Sequence, residues 1–298
     1  PTRGGGGGRR AHQDGPPLVS GEELRRRLYA SGGLWGTRLH VAIRCGEGPP
    51  RFRLAYMAMR NRLEVARLVL EEAACPYELE VIGFENWRDF KQRMPHGKVP
   101  VLYDFDGAGN ALAEETAITQ FLAKQVGLAG RSDAEEAAAN SLYQLYWCTF
   151  RNNGVTHDGD LYSAPKLREF KGQSWPHYKE MHRVNNFTAA ERSLAALGMF
   201  EERLAESGTG FLVGDAPTYV DLALFNDLFE LAEEDNVPDF AARFGLPRLG
   251  AFLRAFEARP RIRAYLESPG RVPRYSRASH HWGSCGPYPP WGTHRFRH

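Results

Sequence analysis

The stretch 94–102, MPHGKVPVL, constrains the fold of this chain more than any other. It passes from a turn at Pro95 and Gly97 into a short apolar strand with Pro100 inside it. Proline has no N–H to give to a β ladder, so central strands exclude it. Two readings stay open on these nine residues. One is an edge strand with an ordinary trans proline. The other is a cis Val99–Pro100 bond that turns the chain. In that case the Val99 N–H and C=O can pair with an extended peptide, as a further strand would.

The flanking sequence supplies a frame. RFRLAYMAM (51–59) reads as a strand ending in a loop at Tyr56, and Leu63, Ala66, Leu70 and Ala73 then share one helical face. Pro76 stops that helix, and YELEVI (77–82) alternates as a half-buried strand. A helical stretch at 85–93 leads to the proline strand, and a fourth strand is expected at 110–113. EETAITQFLAKQVG (114–127) reads as a helix with Ala117, Phe121 and Leu122 inward and Gly127 at its end. The order βαβ, then ββα, around a strand-initial proline is that of a thioredoxin-like domain.

Beyond a linker at 128–132 the pattern is helical. One helix starts at Ser132 and runs to about Phe150. Leu194, Leu197, Phe200 and Leu204 form the stripe of another, over 187–206. Thr218-x-x-Asp221 is a capping box before an apolar run, and helices at 247–258 and 260–266 close the domain. Residues 151–185 are polar and punctuated by Gly and Pro; a loop of that length is commonly functional or partner-bound. Its His157, His177 and His182 read as solvated. The expected class is α+β, a thioredoxin-like domain at 54–127 followed by an all-α domain at 133–268.

Charge sets the two ends apart. Through Arg53 there are ten arginines against four acidic residues, and from Arg271 onward five arginines and no acid. A net charge of only +2 then leaves the middle acidic. Residues 1–53 and 271–298 therefore read as basic extensions, sites for protein partners. Within the first, Ser20 and Glu23 cap a short helix over 20–30. Nucleic acid is not expected, because the body is acidic and no reading module is visible. His280, His281, Cys285 and His294 match no strong metal spacing, and no metal is expected. No apolar run approaches the roughly 20 residues of a membrane helix, and four scattered cysteines suit a reducing compartment. The cytoplasm is expected, with a plastid or mitochondrion as the alternative if the Arg-rich start is the remainder of a presequence.

The stretches LAYMAMRNRLEVARLVL, NWRDFKQRMPHGKVPVL and AITQFLAKQVGLAG resemble the N-terminal domain of glutathione S-transferases, the sigma class most closely. That class includes glutathione-dependent prostaglandin D synthase and the squid lens crystallins. The likeness spans about 54–270, and the extensions lie outside it. It implies glutathione as co-substrate, a small electrophile as second substrate, and a homodimer. Tyr56 matches the tyrosine whose hydroxyl supports the glutathione thiolate. Arg62, Trp87 and Lys91 match residues that hold the glycine carboxylate. Val99 would pair its main chain with the peptide, Lys98 stands at the strand entrance, and Pro100 would be the family's cis-proline. Without the resemblance, Tyr56 is a core or rim tyrosine, Arg62 and Lys91 sit on solvated helix faces, and Trp87 packs on the sheet.

Two positions depart from the pattern. The family places Gln or Glu, then Ser, where the γ-glutamyl carboxylate meets a helix N-terminus. Here Glu114 fits, but Glu115 replaces a hydroxyl donor with an anion. Asn140 falls where the sigma class has an aspartate lent by the partner subunit, a charge that Glu115 could supply in cis. The second-substrate pocket is expected near Tyr143, Tyr146, Trp147 and Phe150, most of which read as core. The alternative function is a catalytically weak structural subunit docked by its basic arms in a larger, photosynthetic or respiratory, assembly.

Overall fold

Strands β2, Phe52–Met57, and β3, Tyr77–Ile82, run parallel at the centre of a five-stranded sheet, with Tyr56 opposite Val81. The computed structural model describes residues 15–31, 36–148, 174, 189–233 and 237–273, and of 189–193 the backbone only. Alternation sends Leu54, Tyr56, Leu79 and Val81 into the main core, while Ala55 and Ile82 face the opposite side. There Phe90 and Met94 cover them, so β3 is buried on both faces along Leu79–Ile82 rather than half-buried. Between β2 and β3 runs α2, Glu64–Glu72, the crossover that a parallel pair requires. A short α3, Trp87–Lys91, then leads to β4, Val101–Tyr103, and β5, Leu112–Ala113, both antiparallel additions. Helix α4, Glu115–Gln125, packs beside α2. Its inward residues are Ile118, Thr119, Leu122 and Ala123; Ala117 and Phe121, expected inward, are half-buried. The helix faces both α2 and the helical half, and its buried face is set by those two neighbours together.

The extension expected over 1–53 is in part a member of the fold. Gly21–Ala30 form α1, with the Ser20 hydroxyl accepting from the Glu23 N–H at 3.1 Å, the cap read from sequence. His40–Cys45 form β1, antiparallel to β3, giving the order β1-β3-β2-β4-β5. Val41 and Ile43 join the main core, and Leu24 and Leu28 of α1 pack into it. Strand β1 was hidden in the sequence because its polar members, His40 and Arg44, find carboxylates across the pair: Glu80 at 2.7 Å and Glu78 at 3.7 Å. The outer edge of β1 is partly covered in turn, since Val19 N–H donates to Ala42 C=O and Ala42 N–H to Pro17 C=O.

The second half is helical. Described helices are α5, Asp133–Tyr146; α6, Ala189–Ser207; α7, Tyr219–Leu231; α8, Phe240–Phe244; α9, Pro247–Glu257; and α10, Pro260–Glu267. The stripe of Leu194, Leu197, Phe200 and Leu204 is buried as expected, whereas α8 was not foreseen in the sequence. The loop 151–185 with its histidines, Ser174 apart, the start of the 187–206 helix, Phe150 and the tail from 274 lie outside the described residues. Every residue of α7 is buried. Its N-terminus is held by Asp221, whose carboxylate accepts from the N–H and hydroxyl of Thr218 and from Leu212 N–H, all within 2.9 Å. Burial outweighs those donors and pushes the Asp221 carboxyl up to about 6, from 3.8. The folded chain thus holds this proton more tightly than the unfolded one. The stabilisation is fully present below about pH 3.8 and lost as pH rises through about 6. Urea unfolding at successive pH values should show this decline, on the order of 2–3 kcal/mol, and Asp221→Asn should remove it. A wild-type curve that rises over that window once the other carboxylates are corrected for would contradict the assignment.

Charged side chains, unexpectedly, fill the contact between the two halves. Glu64 in the first turn of α2 is 1% exposed; its two oxygens accept from Arg271 Nε at 3.1 Å and from the Tyr265 hydroxyl at 3.0 Å. Arg67 gives Nε to the Tyr77 hydroxyl and Nη2 to the Gly270 carbonyl, both at 2.9 Å. Arg60 reaches Glu233 at 3.0 Å. Buried charges persist only where they are paired. Residues 271–273, assigned to the C-terminal tail from sequence, are therefore interior.

Candidate functional site

The nine residues singled out in the sequence line one cavity of about 430 Å³ at the ends of β2 and β4 and the start of α4. Strand β2 carries Tyr56 there with 4% exposure. Beyond it the chain turns through 58–63 before α2 begins. Ala58 N–H binds Ile82 C=O, Arg60 N–H binds Pro273 C=O at 2.7 Å, and Glu64 N–H binds Asn61 C=O. That turn presents Arg62 N–H to the Tyr56 hydroxyl oxygen at 3.2 Å. A phenol is both acceptor and donor, so an oxygen that accepts an N–H can still donate through its own O–H. The Arg62 guanidinium is exposed and lies 5.4 Å from the ring of Trp147.

The second wall comes from the proline stretch. Pro95–Gly97 make a single 3-10 turn, with Gly97 at φ +63° and the Lys91 chain against it. Val99–Pro100 is cis, the second of the two readings left open. Strand β4 starts only at Val101, opposite Ala55 and Ala113. The Val99 N–H and C=O therefore lie before the ladder, with no backbone partner among the described residues. Trp87 is half-buried, and Lys91 and Lys98 are exposed at the rim.

The third wall is anionic. Glu114 precedes α4 at φ +72°, a conformation that costs a non-glycine residue on the order of 1–3 kcal/mol. Its carboxylate lies 3.5 Å from His96 Nδ1. Glu115 is the first residue of α4 and only 3% exposed, yet it borders the cavity.

Sequence reasoning missed Met57, Met59, Asn61, Phe84 and Gly97, which also line the space. Apart from the amide of Asn61 they offer no polar side chain; nearness to Tyr56 and the proline turn was the available signal. At the position matched to the partner-lent aspartate, Asn140 Oδ1 accepts from Gln120 at 2.8 Å and from the Tyr219 hydroxyl at 2.6 Å. Tyr143 and Tyr146 are fully buried, 5.3 Å apart, and belong to the core. A second cavity, about 470 Å³, lies on the opposite sheet face around the His40–Glu80 pair, and none of the nine residues enters it. Among the described residues no group of three or more His, Cys, Asp or Glu is placed to hold a metal, and no helix is long and apolar enough to cross a membrane.

A hydroxyl donor, an open strand end, three cations and two carboxylates in one space suit a short extended peptide carrying charges of both signs. Comparison with known proteins agrees with the frame. Residues 61–130 match the family described as glutathione S-transferase, N-terminal domain, and residues 174–269 the corresponding C-terminal domain. "Probable glutathione S-transferase 9" of Caenorhabditis elegans is 32% identical over 185 residues, 62% of this chain and 82% of that protein. "Glutathione S-transferase 1" of Ascaris suum is 26% identical over 224 residues, covering 75% and 99%. The solved glutathione S-transferase of Ascaris lumbricoides aligns with a TM-score of 0.56 at 26% identity, over 72% of this chain and 96% of that one.

Proposed function

This chain belongs to the glutathione S-transferase family, and we propose that its cavity binds glutathione and passes the thiolate to a small electrophile, by conjugation or by isomerising a lipid-type substrate. The observation that carries the reading is the gathering of the other eight residues around Tyr56, with the Arg62 N–H already on its hydroxyl oxygen. Tyr56 donates its hydrogen to the thiolate. Val99 pairs its main chain with the peptide, Lys98 and Pro100 shape that entrance, and Arg62, Trp87 and Lys91 take the glycine carboxylate. Glu114 and Glu115 meet the γ-glutamyl end. The thiol proton leaves to solvent, sulfur forms the bond to the electrophilic carbon, and a leaving group departs where the electrophile carries one. A free thiol ionises near 8.5, and each unit by which the site lowers that value gives about tenfold more thiolate at neutral pH. A sigma-like homodimer is the arrangement we favour.

Calorimetric titration with glutathione tests the reading together with Tyr56→Phe. The variant should keep its affinity within about threefold and lose about 10- to 100-fold in conjugation rate at neutral pH, one to two units of thiol ionisation. Wild-type protein that neither binds immobilised glutathione nor conjugates a chlorodinitrobenzene-type electrophile would refute it. One observation, the Glu115 carboxylate at the cavity, favours a second reading: a catalytically weak subunit held by its basic ends in a larger assembly. Deleting 1–14 and 274–298 should then release co-purifying partners, and unchanged co-purification counts against it.

A further inference from the structure

The turn that serves Tyr56 is not self-supporting. Its Arg60 N–H is tied to Pro273 C=O at 2.7 Å. Two residues earlier in that same segment, Arg271 holds Glu64, the first residue of α2, at 3.1 Å. One residue earlier again, the Gly270 carbonyl accepts from Arg67, one helical turn further along α2. The segment 270–273 is thus bonded to the turn 58–63 at Arg60 and to the first turn of α2 at Glu64 and Arg67. It lies beyond residue 269, where the family match stops. Helix α1 presses on it from outside: a Cβ added to Gly21 would stand 2.6 Å from Gly270 N and 2.9 Å from its Cα.

We infer that residues 270–273 are a positioning strap for the Tyr56 hydroxyl, with Arg271 its buried fastening and Gly21 of α1 its outer stop. The strap fixes Arg60, the turn then fixes Arg62 N–H, and that N–H sets the rotation of the phenol O–H. Arg271 and Gly21 touch neither Tyr56 nor the cavity, so they act only through the turn. The inference rests on the proposed reading of Tyr56 as the donor to a bound thiolate.

Full-length Gly21→Val and Arg271→Met are compared with the wild type by two measurements. The first is the pH midpoint of the bound glutathione thiolate, followed by its ultraviolet absorbance. The second is affinity for S-methylglutathione, which has no thiol to ionise. The charged groups bordering the cavity (Arg62, Lys91, Lys98, Glu114, Glu115) are the same in all these proteins. Both variants should raise the midpoint by about one unit, a tenfold loss of thiolate at neutral pH, while S-methylglutathione affinity stays within about threefold. Arg271→Lys, which keeps the charge, should recover part of the shift. Gly21→Val removes no charged side chain and carries the test alone if Arg271→Met does not fold. An unmoved midpoint, or a parallel loss of S-methylglutathione affinity, overturns the strap. Absence of glutathione binding by the wild type overturns the underlying reading instead.

Discussion

Glu115→Ser is expected to tighten glutathione binding by about one to three decades. Under the proposed orientation the γ-glutamyl carboxylate meets the N-terminus of α4, where unpaired N–H groups and the helix dipole favour an anion. Glu115 brings a second carboxylate to that end with only 3% exposure, where salt screens little of whatever charge it carries. Two like charges about 4 Å apart repel by about 1 kcal/mol in bulk water and about 4 kcal/mol at an effective dielectric of 20. Serine removes the repulsion and restores a hydroxyl donor. Glu115→Gln removes the repulsion but puts its amide donor at the end of a longer side chain than serine, and should fall between the two. Titration calorimetry gives all three constants directly. Weaker binding by the serine variant would show instead that the carboxylate serves the ligand's ammonium group. That outcome would give Glu115 the charge-bearing part that Asn140, held by Gln120 and Tyr219, does not play.

Local chemistry made much of this site legible before any coordinates. The Ser20 cap, the Thr218–Asp221 box and the strand 77–82 each follow from residue types within a few positions of one another, whereas residues 94–102 alone leave cis and trans Pro100 both open. The nine cavity residues needed the family resemblance as well, because Tyr56 or Lys91 alone has an ordinary surface or core reading. What stayed hidden depends on partners distant in sequence. Strand β1 lies inside the Arg-rich stretch read as an extension, and its His40 and Arg44 meet Glu80 and Glu78 of β3 only in the fold. Arg60, Arg67 and Arg271 look like surface arginines until Glu233, Tyr77 and Glu64 enclose them. A charged side chain is a sign of exposure only while nothing on another element neutralises it.

Glu64→Ala should therefore cost far more stability than removing an exposed carboxylate. The loss strands Arg271 at 7% exposure and leaves the Tyr265 hydroxyl without its acceptor, in an interior where Arg60 lies near enough to add repulsion. Breaking a buried pair by deleting one member typically costs 3–5 kcal/mol, because the survivor remains desolvated. Glu267→Ala supplies the contrast. Its partner Arg263 is 67% exposed and Glu267 60% exposed, so the pair is solvent-screened and should be worth under about 0.5 kcal/mol. Glu64→Gln keeps the shape and one acceptor and should fall between them. Urea titrations read as midpoint shifts at constant slope give the three numbers. Equal small losses for Glu64→Ala and Glu267→Ala would mean that the contact between the halves opens to water and re-solvates Arg271. In that case the segment 270–273 could not hold the turn at Arg60 rigidly either. The stability of the buried ions and the placement of the Tyr56 hydroxyl thus stand or fall on the same closed interface.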